Sequence, residues 1–101
     1  MLISRWQAPI LPTREQVLIL LDQEGLEGIE ERFTQGNKIN EHRHPFTEVR
    51  ILLEGELLFN VSGNQFLVRP GDRLEIPANT KHWFQAHGSH DCVCVYAQRV
   101  I

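Results

Sequence analysis

Turn residues interrupt the chain at short intervals from Gly28 onward, and this punctuation restricts the fold more than any other feature. Gln35-Gly36-Asn37, Glu54-Gly55, Ser62-Gly63-Asn64, Pro70-Gly71-Asp72, Pro77-Ala78-Asn79 and Gly88-Ser89 each mark a place where the backbone turns. The segments left between them, 29–34, 48–53, 56–61, 65–69, 73–76, 82–87 and 92–100, read as strands. Closely spaced short strands predict an all-β antiparallel sandwich or barrel. Only one segment has helical character, which argues against a parallel α/β sheet. It begins with Thr13 and Gln16 in capping-box spacing, continues with Val17, Leu18, Leu20 and Leu21, and meets a stop signal at Gly25. That helix is expected to pack on the outside of the barrel.

A chain of 101 residues has the size of one domain and can hold a core without disulfides. Its formal net charge of -3 and the absence of a basic run give no electrostatic reason to expect nucleic acid. The longest uninterrupted apolar run, positions 17–21, is too short to span a membrane. Positions 1–11 lack the continuous apolar core of a signal peptide, so a cytoplasmic home is the default expectation. Cys92 and Cys94 lie two apart on one strand face, a poor geometry for a mutual disulfide, and are read as buried core residues.

The chemistry-bearing residues fall around two turns. His42 and His44 are two apart in an extended segment, so their imidazoles point the same way. Glu48 follows Pro45-Phe46-Thr47, and His82 opens a later strand after a proline-containing loop. Three imidazoles and one carboxylate suit one divalent transition-metal ion: Fe, Ni, Mn, Co or Zn. The set lacks the thiolates of a structural zinc site, and it contains the two-His-one-carboxylate types of non-haem iron centres. A His-x-His string with a later Glu is weak evidence alone. Here it sits in a glycine frame, G-NKINE-H-R-H-PFT-E-VRILLE-G over 36–55 and G-DRLEI-P-A-N-TK-H-WFQ-A over 71–86.

This frame resembles the two cupin motifs. The first, G(X)5HXH(X)3–4E(X)6G, is matched at every fixed position. The second, G(X)5PXG(X)2H(X)3N, is matched at Gly71, Pro77 and His82, with Asn79 in place of Gly and Ala86 in place of Asn. Asn tolerates positive φ, so the turn at Asn79 is expected to survive the exchange. The resemblance implies a cupin double-stranded β-helix (jelly-roll barrel) over 28–101, with an N-terminal arm and helix over 1–27 packed on it. It also implies that His42, His44, Glu48 and His82 hold the metal. Glu48-Val49-Arg50, Glu54-Gly55-Glu56 and positions 77–84 are further similar to segments of acireductone dioxygenases, methionine-salvage cupins that bind iron or nickel. Those enzymes are longer and carry additional elements around the barrel.

If Glu48 points inward, strand alternation puts Arg50 and Leu52 on the same face. Phe84 shares the inward face of the His82 strand, while Trp83 faces out, towards the helix or a dimer contact. Arg50, Leu52 and Phe84 are thus expected to line a substrate pocket. Arg50 is either paired with a carboxylate or held ready for an anionic substrate group, and the acireductone dioxygenase resemblance favours the second. Glu30, Glu31 and Arg32 read as a solvated strand face, and His87 and His90 as loop histidines.

The expected function is a metal-dependent dioxygenase-like enzyme acting on a small oxygenated or anionic molecule, with Glu48 and Arg50 in the catalytic site. The same barrel also supports a non-catalytic metal- or small-molecule-binding protein, or an isomerase or lyase. Small cupins resemble dimers as a rule, and an open sheet edge needs covering, so a homodimer is expected.

Overall fold

The computed structural model describes residues 2–100; Met1 and Ile101, the outer ends of the two expected segments, lie outside them. Nine strands and one helix follow in the order β1 (Leu2–Ser4), α1 (Arg14–Gln23), β2 (Ile29–Phe33), β3 (Lys38–His42), β4 (Thr47–Glu54), β5 (Glu56–Val61), β6 (Asn64–Val68), β7 (Arg73–Ile76), β8 (His82–His87) and β9 (Cys92–Arg99). They form a five-stranded sheet of order β1-β7-β4-β9-β2 and a four-stranded sheet of order β3-β8-β5-β6. Every pairing is antiparallel. The chain is therefore all-β, two antiparallel sheets with one helix, the architecture that the cupin resemblance implies.

The two sheets differ in what covers their outer faces, and the burial patterns follow. β5 alternates between buried and half-buried along its whole length, because only its inner face meets the core. β4 is buried almost continuously, because α1 lies on the outer face of its sheet. Leu52, Leu57, Phe59, Leu74, Ile76, Phe84, Cys92 and Cys94 belong to the core between the sheets. Val17, Leu21 and Leu26 form a second core with Val49, Ile51, Val95 and Ala97 on the helix side. Trp83 faces out as expected, but not towards the helix. It stands on the outer face of the other sheet, with Lys38 Nζ 4.4 Å from its ring, because the sequence alone does not say which sheet the helix covers.

Helix α1 starts and stops where its sequence signals lie. Gln16 N donates to Thr13 Oγ1 and Thr13 N donates to Gln16 Oε1, closing the capping box. At the other end Gly25 takes φ +78°, and the amides of Gly25 and Leu26 donate to the carbonyls of Asp22 and Leu21. This paired closure satisfies carbonyls that the last turn leaves open. The helix buries only Val17 and Leu21, one turn apart, while Leu20 of the expected stripe is 45% exposed.

The N-terminal arm does more than lead into the helix. β1 pairs with β7, and the chain then locks onto Asp72 in the turn before that strand. Asp72 is buried and accepts from Arg5 Nη1 at 2.7 Å, Trp6 N at 2.8 Å and Arg69 N at 3.0 Å. The Trp6 ring lies over Gly71, where a Cβ would sit 2.4 Å from the ring, so this place admits no side chain. Burial by itself would raise the Asp72 carboxyl. The amides of Trp6 and Arg69 and the Arg5 guanidinium outweigh it and hold the group below its ordinary value.

A lowered folded-state pKa means that Asp72 contributes stability above the ordinary carboxylate range near pH 4, and that this is lost as pH falls through the lowered value. Asp72→Ala should cost about 2 kcal/mol in urea unfolding at pH 7, the scale of a lost charge-assisted hydrogen-bond set. The gap to wild type should shrink below about pH 4. A gap that persists unchanged to low pH would mean that the carboxylate charge is not what ties down the arm.

Candidate metal centre

The site is built where the two sheets meet at one open end of the barrel. β3 contributes His42 through an irregularity. Ile39 pairs with Phe84 and His42 with His82, so β3 carries one residue more than β8 between the two pairings. In a regular strand, residues three apart face opposite sides. The bulge turns both Ile39 and His42 to the interior. His42 thus faces His82 across the strands, with ring centroids 4.3 Å apart. His44 follows in the loop before β4, stacked on Phe46 at 4.0 Å, and its carbonyl accepts from Asn79 N at 2.7 Å. Asn79 has φ +59°, so the asparagine in the glycine position of the second motif does keep the turn. The loop before His82 is pinned to His44 by the same bond.

Each imidazole is oriented by its own backbone. His42 Nδ1 lies 2.8 Å from the Asn40 carbonyl, His44 Nδ1 3.1 Å from that of Phe46, and His82 Nδ1 2.8 Å from that of Thr80. A carbonyl only accepts, so each Nδ1 carries a proton and each Nε2 is the nitrogen turned to the cluster, free to donate to Glu48 when protonated or to offer its lone pair to a metal when not. One ligand atom from each of His42, His44, Glu48 and His82 lies within 4.8 Å of the others. Ligands at about 2.1 Å from one ion stand at most about 4.2 Å apart, so a small contraction would close the set on a metal. His82 Nε2 is the one buried side-chain polar atom without a hydrogen-bond partner among the described residues, and Glu48 Oε1 is 3.4 Å from it. A buried ring nitrogen left without a hydrogen bond beside a carboxylate and two imidazoles is a position that a metal would satisfy. The four side chains fit a divalent transition-metal ion.

Glu48 is the hinge of the electrostatics. Its Oε1 faces His44 Nε2 at 3.0 Å, and its Oε2 accepts from Arg50 Nε at 2.8 Å. Burial would raise the Glu48 carboxyl, but His82, the Arg50 guanidinium and His44 outweigh burial and hold it ionised, well below the usual range. Arg50 is likewise kept charged: burial works against it, and the Glu48 and Glu31 carboxylates more than compensate.

Arg50 answers the question left open by the sequence. It is paired, and with two carboxylates: Nε donates to Glu48 and Nη1 to Glu31 Oε1 at 2.8 Å. Nη1 also contacts Cys94 Sγ at 3.0 Å, and the guanidinium lies 4.9 Å from the rings of both Phe84 and Tyr96. Glu31 is therefore a correction to the solvated strand face expected of positions 30–32. Three charged residues in succession hide which one faces in. The pairing of β2 with β9 sets Glu31 opposite Cys94 and turns it towards Arg50.

A cavity of about 200 Å3 opens beside the cluster, bounded by Glu31, Phe33, Ile39, His42, His44, Glu48, Arg50, Phe84 and Tyr96. Arg50 and Phe84 stand where the sequence puts them, on its wall. Leu52 does not, although it shares their face: it is 1% exposed and packs in the core between the sheets. Alternation fixes a residue's face but not its distance from the open end. Cys92 and Cys94 are free and buried, as expected, and burial pushes the Cys92 thiol up to about 12. The larger apolar groove between the arm and α1, lined by Trp6, Leu11, Leu20 and their neighbours, holds no titratable group. No helix among the described residues is long and apolar enough to cross a membrane.

Comparison with known proteins agrees with this geometry. Residues 29–97 match the cupin domain model. An acireductone dioxygenase of Alcanivorax borkumensis is 44% identical over 50 residues, which cover 46% of this chain and 28% of that one. A quercetin 2,3-dioxygenase of Bacillus subtilis is 36% identical over 52 residues, 50% of this chain and 15% of that one. The chain thus spans about a quarter of the first relative's length and less of the second's. In structure it is similar to a predicted oxalate decarboxylase from Thermotoga maritima, with a TM-score of 0.69 at 17% identity over 79% of this chain and 71% of that one, a likeness of fold. With its barrel, both motif turns and the family match over most of its length, the chain belongs to the cupin domain family.

Proposed function

We propose that this cupin is a metal-dependent, dioxygenase-type enzyme acting on a small oxygenated molecule. The observation that carries the reading is the preset cluster: three imidazoles locked with Nε2 inward and one ionised carboxylate, at the wall of an open cavity. The matched segments of acireductone and quercetin dioxygenases support the reaction class. His42, His44, Glu48 and His82 would hold the ion, which would supply Lewis acidity and, where redox-active, one-electron chemistry. Phe33 and Phe84 give the cavity an apolar stretch of wall. Arg50 keeps Glu48 ionised and fixes its second oxygen, so the first points at the histidines. Arg50 acts here as a positioning residue.

Protein purified without chelator should carry about one equivalent of metal by elemental analysis, and His82→Ala should lose it. Oxygen uptake with enediol substrates would then test the reaction class. Turnover without oxygen consumption would point to isomerase or lyase chemistry, and absence of metal even after reconstitution would remove the centre altogether. Because protons and metal compete for the imidazoles, metal affinity should rise with pH across the histidine range. Glu48 and the Thr80 carbonyl raise the His82 pKa against the lowering effect of burial, which places that competition above the ordinary histidine value.

Arg50→Ala would leave the Glu48 carboxylate buried without its counter-charge, a change on the order of 3–5 kcal/mol against folding. Metal affinity should fall about 10- to 100-fold with it. An Arg50→Ala protein that binds metal as tightly as wild type would show that Glu48 needs no positioning from Arg50.

A further inference from the structure

Resting on the metal-centre reading above, we propose that Glu31 determines the charge of the ligand this pocket accepts. A small molecule that reaches the ion is then one whose tail carries a hydroxyl or ammonium group rather than a carboxylate.

A buried arginine at a metal site suggests a receptor for an anionic substrate group. In this chain that receptor is engaged at two of its three nitrogens, Nε and Nη1. Arg50 Nε is on Glu48, and Nη1 is on Glu31 at 2.8 Å and against Cys94 at 3.0 Å. Its side chain is 5% exposed, and the rings of Phe84 and Tyr96 approach the guanidinium. A carboxylate tail is left only Nη2 of a guanidinium whose charge Glu48 and Glu31 already share, and it would stand there beside the Glu31 carboxylate.

Glu31 has the opposite character. Its side chain is 37% exposed, on strand β2 at the edge of the sheet, and it lines the cavity. Oε1 accepts from Arg50, and no group among the described residues donates to Oε2. A hydroxyl or ammonium group reaching Oε2 exchanges solvent for a charge-assisted hydrogen bond and leaves the Glu31–Arg50 bond intact. Glu31, Glu48 and Arg50 together leave one negative charge in excess. A divalent ion would change the local sum to one positive charge, which matches the single negative charge of a chelating head and leaves none for a second anionic group.

The test uses nickel-loaded protein and three hydroxamates that share a chelating head and differ in the tail. Propionohydroxamate ends in an ethyl group, β-alanine hydroxamate in an aminoethyl group, and succinic monohydroxamate in a carboxyethyl group. Calorimetric titration should show the aminoethyl compound binding at least about tenfold more tightly than the carboxyethyl one, the scale of one partly screened charge contact. Glu31→Gln keeps an acceptor for Arg50 and removes the charge. It should bring the two within about threefold while the ethyl compound changes by less than about twofold. A carboxyethyl compound that binds wild type as tightly as the aminoethyl one overturns the role of Glu31 even if the variant fails to fold. An unchanged preference in a folded Glu31→Gln protein also overturns it. If the ethyl compound binds neither protein, the metal-centre reading falls and this inference falls with it.

Discussion

The placement of Glu48 beside Arg50 inside the barrel is the contact on which the site depends. Two opposite charges at 2% and 5% exposure are expensive to take out of water, and only good geometry offsets that cost. The geometry comes from β4 itself. Two residues apart on one strand share a face, so Arg50 Nε can reach Glu48 Oε2 at 2.8 Å. The other Glu48 oxygen is then held towards His44 and His82. Without the guanidinium the buried carboxylate would lose its counter-charge, and only His82 and His44 would be left to oppose the pull of burial towards protonation.

β4 can carry such a pair because the rest of it is unusually well secured. It is flanked by β7 and β9, so neither edge is open. Its outward residues Val49 and Ile51 pack beneath Val17 and Leu21 of the helix. The helix is in turn closed at both ends by its own caps, and the arm before it is fastened to Asp72. Apolar burial on one face of the strand thus supports polar chemistry on the other. Among the described residues no helix covers the opposite sheet, yet it supplies His42 and His82, whose positions come from cross-strand pairing and from the bulge in β3.

Much of this was legible in the sequence, for identifiable reasons. Turn chemistry punctuates the chain so regularly that the strands from β4 onward follow from it, and Thr13, Gln16 and Gly25 delimit the helix. The four clustered residues were legible because their spacing is fixed by two turns, and Asn79 at φ +59° shows that the chemistry of the exchange was read correctly. What stayed hidden depends on register. β1 and β3 are short, and their pairing with β7 and β8 is long-range information. Glu31 could not be told from Glu30 by charge pattern, and only its position opposite Cys94 decides it. Leu52 shows the same gap from the other side, since its face was evident and its depth was not.

The tautomers carry the argument one step further. All three histidines spend Nδ1 on a carbonyl close in sequence: Asn40, Phe46 and Thr80, each two residues away. Such bonds are local, so they form with the turn or strand end and need no tertiary partner. The ligand atoms are therefore aimed by the backbone that carries them, and the barrel has only to bring three short segments together around Glu48. Folding and preorganisation are then one process: the bulge, the Asn79 turn and the start of β8 close the core and set the Nε2 atoms at the same time. An ion entering this cluster would meet oriented lone pairs, and little of its binding free energy would be needed to order the residues that hold it.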